Sequence, residues 1–243
     1  MTQNFKWQNK PNQWEALVFK MKIYPTITTL VNYEKKLEEV YQLNLKKVCV
    51  FLTGLDFNQR QEFLKKLKNT SIKEIPFVHL RSDMKVEELE FLIENYNTKV
   101  FNIHTEKEYP LKYDYSKYKN FIYIENVYKA FDESEIKNWA GICLDFSHLE
   151  NDRLLRPKIF EKNIKILKNH KIGCNHISAV KSEYHFNEKN IKRYDDHLAD
   201  NLSNFDYLKQ YSKNLFSNFC AIELNNSIKF QLNVIDYICK LKK

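Results

Sequence analysis

The sequence predicts an α/β protein, a (β/α)8 barrel in which eight parallel strands close inside a ring of helices. Two patterns point there. Apolar runs of strand length alternate with segments of helical period along the chain, which is how βα units read in sequence. Six of those runs also end in a residue that can bind a metal or move a proton. They are His79 in PFVHLRSD, His104 in VFNIHTE, Glu125 in FIYIENV, Asp145 in GICLDFSH, His176 in IGCNHIS and Glu223 in CAIELNN. In a barrel of parallel strands the carboxyl ends converge on one face, and chemistry sits there. Residues as far apart as His79 and Glu223 would then meet in one pocket. The 243 residues suit one large domain, so a single barrel over residues 1–243 is expected.

The elements follow in order. A first strand reads at 17–23 (LVFKMKI), and the helix after it carries Leu30, Tyr33, Leu37, Val40 and Tyr41 on one stripe. Strand two is VCVFL at 48–52, with a helix near NQRQEFLKKLK. Strand three is IPFVHL at 75–80, followed by Val86, Leu89, Ile93 and Tyr96 on one helical face. Strand four is VFNIH at 100–104. The connection at 105–119 has no helical period and reads as irregular. Strand five is FIYIE at 121–125, with a short helix near ESEIKNW. Strand six is GICLD at 141–145, and a helix from Pro157 to Lys168 follows; proline suits a first helical turn, where its missing N–H has no partner anyway. Strand seven is IGCNHIS at 172–178. A long loop then precedes a helix near 204–215. Strand eight is FCAIEL at 219–224, closed by a helix with Leu232, Ile235, Ile238 and Cys239 facing inward.

Composition narrows the function classes. Apolar content of 43% and charged content of 29% are ordinary for a folded globule and argue against global disorder. No stretch approaches the roughly 18 apolar residues of a membrane span. The N-terminal MTQNFKWQNKPNQW has no apolar core and does not read as a signal peptide. Five cysteines (Cys49, Cys143, Cys174, Cys220 and Cys239) lie mostly in apolar patterns without a CxxC pair, so they read as reduced core residues of a cytoplasmic protein. The net charge of +8 can favour nucleic acid or phosphorylated substrates. The lysines, however, fall on the polar faces of expected helices such as KKLEEVYQLNLKK, which reads as a solvated surface.

The constellation of strand-end residues carries the chemistry. Asp145-x-x-His148 is the most specific local signal: a strand-end aspartate can ligate a metal, and the loop returns a histidine to the same rim. Glu125, Asp145, His176 and Glu223 form a mixed oxygen and nitrogen set. Such a set suits Mn²⁺, Mg²⁺ or Co²⁺, and further histidines shift preference towards Zn²⁺. His79, His104, His148 and His197 supply them, the last within Asp195-Asp196-His197. Burying several carboxylates together without a cation would raise their pKa values at a cost of several kcal/mol. His170 precedes strand seven, at the opposite end of the barrel, and reads as structural or exposed. His185, among charged residues, reads as surface, with the rim of the site as the alternative.

GICLDFSH followed by NHIS, DDH and a last-strand IELN resembles the xylose isomerase-like TIM barrels. That superfamily includes sugar and sugar-phosphate isomerases and epimerases, and also the endonuclease IV branch of DNA repair enzymes. The resemblance covers roughly residues 75–225. Its isomerase branch implies one divalent metal on Glu125, Asp145, His176 and Glu223. Glu125 and Glu223 would double as acid and base beside a carbonyl, and His148 would sit next to the site. His79, His104, Lys181 and Arg81 would contact a small carbohydrate substrate, the last two through a phosphate or carboxylate.

The endonuclease IV branch implies three zinc ions on nine ligands. Their counterparts here are His79, His104, Glu125, Asp145, His148, His176, Asp195, His197 and Glu223, with DNA as partner and phosphodiester hydrolysis as the reaction. The chain departs from that branch in several places. KMKIYPTITTL lacks its histidine and glycine pair, Asn201 and Ser203 stand where two glycines are usual, and Ala179 stands where an acidic residue is common. These departures favour the isomerase or epimerase reading.

Overall fold

Pro25 interrupts the first strand, and that interruption shows how the barrel closes. The computed structural model describes residues 21–243. In it, β1 (Ile23–Tyr24) and β2 (Thr26–Thr28) are one extended stretch broken at a residue with no N–H to give. β1 pairs in parallel with β11 (Cys220–Ile222), and β2 pairs in parallel with β3 (Cys49–Phe51). The Pro25 carbonyl still accepts from the Cys49 N–H at 2.8 Å. Between them run β4 (Phe77–His79), β5 (Val100–Ile103), β6 (Ile122–Glu125), β7 (Ile142–Asp145) and β8 (Ile172–Ile177), each parallel to its neighbours. The first stretch is hydrogen-bonded on both sides, so the strands form the cylinder of a TIM barrel. Residues 17–20 of the expected first strand lie outside the described residues. The strand itself runs later, to Thr28, because buried threonines rather than aliphatics carry its second half.

Helices cover the outside. They are α1 (Tyr33–Gln42), α2 (Phe57–Leu67), α3 (Val86–Tyr96), α4 (Glu133–Ile136), α5 (Phe146–Leu155), α6 (Pro157–Leu167) and α7 (Ile228–Leu241). Asp56 and Gln59 form a reciprocal cap at the start of α2, satisfying two otherwise orphaned N–H groups. Arg60 of α2 is wholly buried, and its guanidinium meets both Glu88 oxygens of α3 at 2.8 and 3.1 Å, locking the two helices together. The segment 105–115 carries no helix or strand, and a 3-10 turn follows at Ser116–Phe121.

Three expectations need correction. The helix α5 begins directly at the end of β7, where none was expected. Seven consecutive residues from Phe146 to Asp152 are buried, so it has no amphipathic stripe to read. The loop after β8 is an antiparallel hairpin, β9 (Ala179–Phe186) and β10 (Lys192–Asp196). Its exposed, charged residues mask strand alternation. The helix expected near 204–215 is a pair of 3-10 segments, Leu202–Gln210 and Lys213–Leu215. Smaller shifts occur on helix faces. Leu30 and Tyr41 are exposed, while Lys36 is buried beside Leu37 and Val40. In α7 the fully buried residues are Ile228, Gln231, Val234 and Ile238.

The barrel interior is filled. Cys49, Phe51, Phe77, Val100, Tyr123, Cys143, Cys174 and Ala221 pack together inside it. Gly173 leaves room for the Tyr123 ring, which a Cβ there would strike at 2.0 Å. The cysteines are all free, and all but Cys239 are buried.

Candidate metal centre

Side chains alternate across a strand, so each interior residue of the packed layer is followed two positions later by another that points inward near the carboxyl end. Tyr123 is followed by Glu125, Cys143 by Asp145, Cys174 by His176, and Ala221 by Glu223. Register brings them level: Asp145 pairs with His176 across β7 and β8, and His79 pairs with Asn102 across β4 and β5. The result is a tier of ionisable groups above a tier of thiols and rings. The Phe51 and Phe77 rings lie against His176, with centroids 4.5 and 5.3 Å away.

His176 Nδ1 is the centre of the tier. It lies 3.3 Å from Glu125 Oε1, 3.2 Å from Glu223 Oε2 and 3.8 Å from Asp145 Oδ2. Its tautomer follows from Asn102. The Asn102 amide Nδ2 donates to Glu125 Oε2 at 2.6 Å, which turns Asn102 Oδ1 towards His176 Nε2 at 3.2 Å. An oxygen there accepts, so Nε2 carries a proton. Burial opposes a charge on the ring, but Cys143, Glu125 and Glu223 hold its pKa well above the usual histidine value, so a cation would take the place of the Nδ1 proton. Asp145 Oδ1 is satisfied by the Ser147 hydroxyl and the His148 N–H, leaving Oδ2 free. Asp145 Oδ2 and His176 Nδ1 are both buried without a hydrogen-bond partner. Four ligand-type atoms therefore gather within 4.8 Å of one another, an arrangement that a cation makes favourable. The donor set fits a divalent ion on Glu125, Asp145, His176 and Glu223.

A second set shares Glu125. The His79 Nδ1 donates to the Leu80 carbonyl at 2.7 Å, which leaves its Nε2 as acceptor. That Nε2 lies 3.1 Å from His104 Nε2 and 3.2 Å from Glu125 Oε2, and His104 Nε2 is 3.6 Å from the same oxygen. These three could hold an ion as well. Glu125 thus offers one oxygen to each set.

The charges respond to this crowding. Burial works to raise the Glu125 carboxyl, but His176, His79 and His104 hold it well below the usual carboxylate range. Burial likewise opposes ionisation of Glu223, yet His197 and His176 bring it down to about 2. Burial pushes His104 down to about 4, against the pull of Glu125. His148 goes the other way: burial disfavours its charge, but Asp145 and the hydrogen-bonded Asp195 lift it to about 9.

The remaining expected residues are distributed unevenly. His148 joins the tier, with Nε2 3.7 Å from Asp145 Oδ2 and 3.9 Å from Glu125 Oε1. Its Nδ1 meets Asp195 Oδ2 at 2.9 Å. Of the nine residues that the endonuclease IV resemblance implied, His148, Asp195 and His197 form no third set among the described residues. Arg193 is the reason. Its Nη2 lies 3.0 Å from His148 Nδ1 and bonds Asp195, so a guanidinium already supplies the positive charge there. His197 is partly exposed instead, with Nδ1 3.9 Å from Glu223 Oε1.

Lys181 and Arg81 do not line the cavity over the tier. Lys181 is held by Asp200 at 2.6 Å, and Arg81 by Asp83 at 3.0 Å. His185 does line it, which matches the rim alternative for this residue and not the surface one. His170 sits apart, 3.9 Å from Glu133. Sequence reasoning missed Asn102 and Arg193. Asn102 interrupts an otherwise apolar strand, which was the one available signal.

The cavity above the tier holds about 530 Å³. Glu125, Glu223, His79, His104 and His148 form its floor, and the hairpin tip from His185 to Lys189 forms part of its wall. Among the described residues no helix is long and apolar enough to cross a membrane.

No family model matches the sequence, and no curated protein does. Solved structures do match. A xylose isomerase domain protein from Planctomyces limnophilus is similar over 91% of this chain and 96% of its own, with a TM-score of 0.47 and 12% identity. The IOLI protein, in a structure with a bound zinc atom, is similar over 90% of this chain and 96% of its own, with a TM-score of 0.45 and 13% identity.

Proposed function

We propose that this chain is a divalent-metal-dependent isomerase or epimerase acting on a small polyhydroxylated carbonyl compound, one barrel serving as the catalytic unit. The observation that carries the reading is the pair of ionised carboxylates, Glu125 and Glu223, on either side of the orphaned Asp145 Oδ2 and His176 Nδ1. Asp145, His176, Glu125 and Glu223 would hold the ion. When bound, it supplies Lewis acidity, stabilising negative charge on a substrate oxygen next to the carbon that loses its proton.

The side chains do the rest. Glu223 faces the cavity and is ionised at neutral pH, so it can accept a proton from that carbon. Glu223 then carries that proton and can return it to the neighbouring carbon; delivery to the opposite face falls to Glu125, which rests ionised and must first take up a proton from solvent. His148 Nε2 is aimed at the same floor and protonated at neutral pH, so it can hydrogen-bond a substrate oxygen that gains charge. Asp195 fixes the ring by accepting from Nδ1. The hairpin tip contributes part of the cavity wall over this floor.

The His79, His104 and Glu125 set favours one other reading. Two ions sharing a carboxylate can clamp a phosphoester for hydrolysis, and DNA would be the substrate in that case. Solvent deuterium exchange separates the two. Manganese-loaded protein should place deuterium on carbon in at least one member of a panel of ketoses, aldoses and polyol-derived ketones, and Glu223→Gln should abolish this. Incision of a duplex containing an abasic site, lost in Glu223→Gln and without any carbon exchange, would establish the second reading instead.

A further inference from the structure

The cavity above the tier has two unlike sides. One carries the ionisable floor already described. The other is built from Leu30, Tyr109, Val127, Tyr128 and Phe186, which line the same 530 Å³ space. Leu30, Tyr109 and Phe186 are 54%, 40% and 57% exposed, so large apolar surface faces water at the mouth. Such surface next to a polar floor marks a place where something apolar binds. The wall connects to the floor. The Tyr109 ring meets His104 at a tilt of 48°, with centroids 4.9 Å apart, so an aromatic surface begins beside the second ligand set.

The charged lining points to the same kind of ligand. Besides His148 on the floor, the cations that line the cavity are Lys189 and Arg193. Arg193 is committed to Asp195, and Lys189 lies over the Tyr128 ring at 5.7 Å. Against them stand Glu125, Glu188, Asp195, Asp196 and Glu223. Lys181 and Arg81, the residues that could have received a phosphate, are turned to Asp200 and Asp83 elsewhere. The rim is apolar and acidic, so it has little with which to hold an anionic tail.

We infer that the substrate is uncharged at its far end and carries an aromatic or bulky apolar group. Its polar head lies on the tier and its tail lies between Tyr109, Leu30 and Phe186. This rests on the metal-binding cavity of the proposed function, and it excludes simple sugar phosphates as the preferred substrates.

Metal-chelating probes that differ only in the tail test it without any turnover. Calorimetry on zinc-loaded protein would compare propionohydroxamate, 3-phenylpropionohydroxamate and phosphonopropionohydroxamate. The phenyl probe should bind about tenfold or more tightly than the propionyl probe, and the phosphono probe no more tightly than it. In Tyr109→Ala/Phe186→Ala the phenyl advantage should fall several-fold while propionohydroxamate affinity stays the same. Equal affinity of the phenyl and propionyl probes, an unchanged ratio in the double variant, or preference for the phosphono tail would overturn the inference. Absence of sugar isomerisation leaves this comparison intact. Failure of every hydroxamate to bind would remove the metal cavity itself, and the inference with it.

Discussion

Two tiers of the barrel interior lie only two residues apart on the same strands. The lower one holds Cys143, Cys174, Tyr123, Ala221 and Phe77. The upper one holds Asp145, His176, Glu125, Glu223 and His79. The lower tier is packed, and burial keeps the Cys143 and Cys174 thiols neutral by pushing their pKa values up. The upper tier is as deeply buried at Asp145 and His176, both 0% exposed, yet it is ionisable and leaves two atoms without partners. One step of the strand repeat thus separates a layer that stabilises the barrel from a layer that needs a cation. The difference teaches that burial depth does not decide role here; the capacity to donate lone pairs does.

Replacing the carboxylate shared by both ligand sets should break the upper tier most severely. Glu125→Gln keeps the shape but loses the charge. It should weaken ion binding at both sets and lower turnover by about a hundred- to ten-thousandfold, as read by calorimetric metal titration together with steady-state rates. Full metal occupancy in this variant would contradict the shared role.

Ion binding should stabilise the folded chain, because the unfolded chain has no gathered ligands. At a hundredfold excess over Kd the gain should be about 2.7 kcal/mol, seen as a rise in Tm with Mn²⁺ or Zn²⁺ that EDTA reverses. Asp145→Asn should lose most of that gain, whereas Cys143→Ala should keep it in full.

Asn102 ties members of the upper tier together, because its amide aligns both Glu125 and His176. Asn102→Ala should weaken metal binding about 10- to 100-fold and let His176 adopt the other tautomer, which ¹⁵N NMR of the imidazole reports. An unchanged tautomer would remove Asn102 from the account. The smallest effect belongs to the lower tier. Cys143→Ala should cost about 1 kcal/mol of stability in denaturant melts and leave metal affinity alone.

Much of the upper tier was legible in sequence, for a physical reason. A strand buried on both faces reads as an apolar run, so a ligand-type residue at its end stands out, as in FIYIE and GICLD. The parallel barrel then makes strand ends meet. Other parts were silent. Asn102 is a single polar residue inside a strand, and only its neighbours across β6 and β8 give it a role. The helix α5 buries Ser147, His148, Asn151 and Asp152 alongside Phe146 and Leu149, so periodicity had nothing to report. The hairpin that lines part of the cavity is written in exposed charged residues that look like loop. Arg193 could not be placed in the position of a cation until that hairpin brought it to His148 and Asp195.

Anomalous X-ray scattering from crystals grown with Mn²⁺ or Zn²⁺ tests the central claim most directly, since it gives position, identity and number of ions at once. The account predicts a peak in coordination contact with Glu125, Asp145, His176 and Glu223, and a second peak against His79, His104 and the other Glu125 oxygen at higher occupancy of the metal. Saturating metal with no peak at the four-residue set, or a peak only on surface residues, would contradict it.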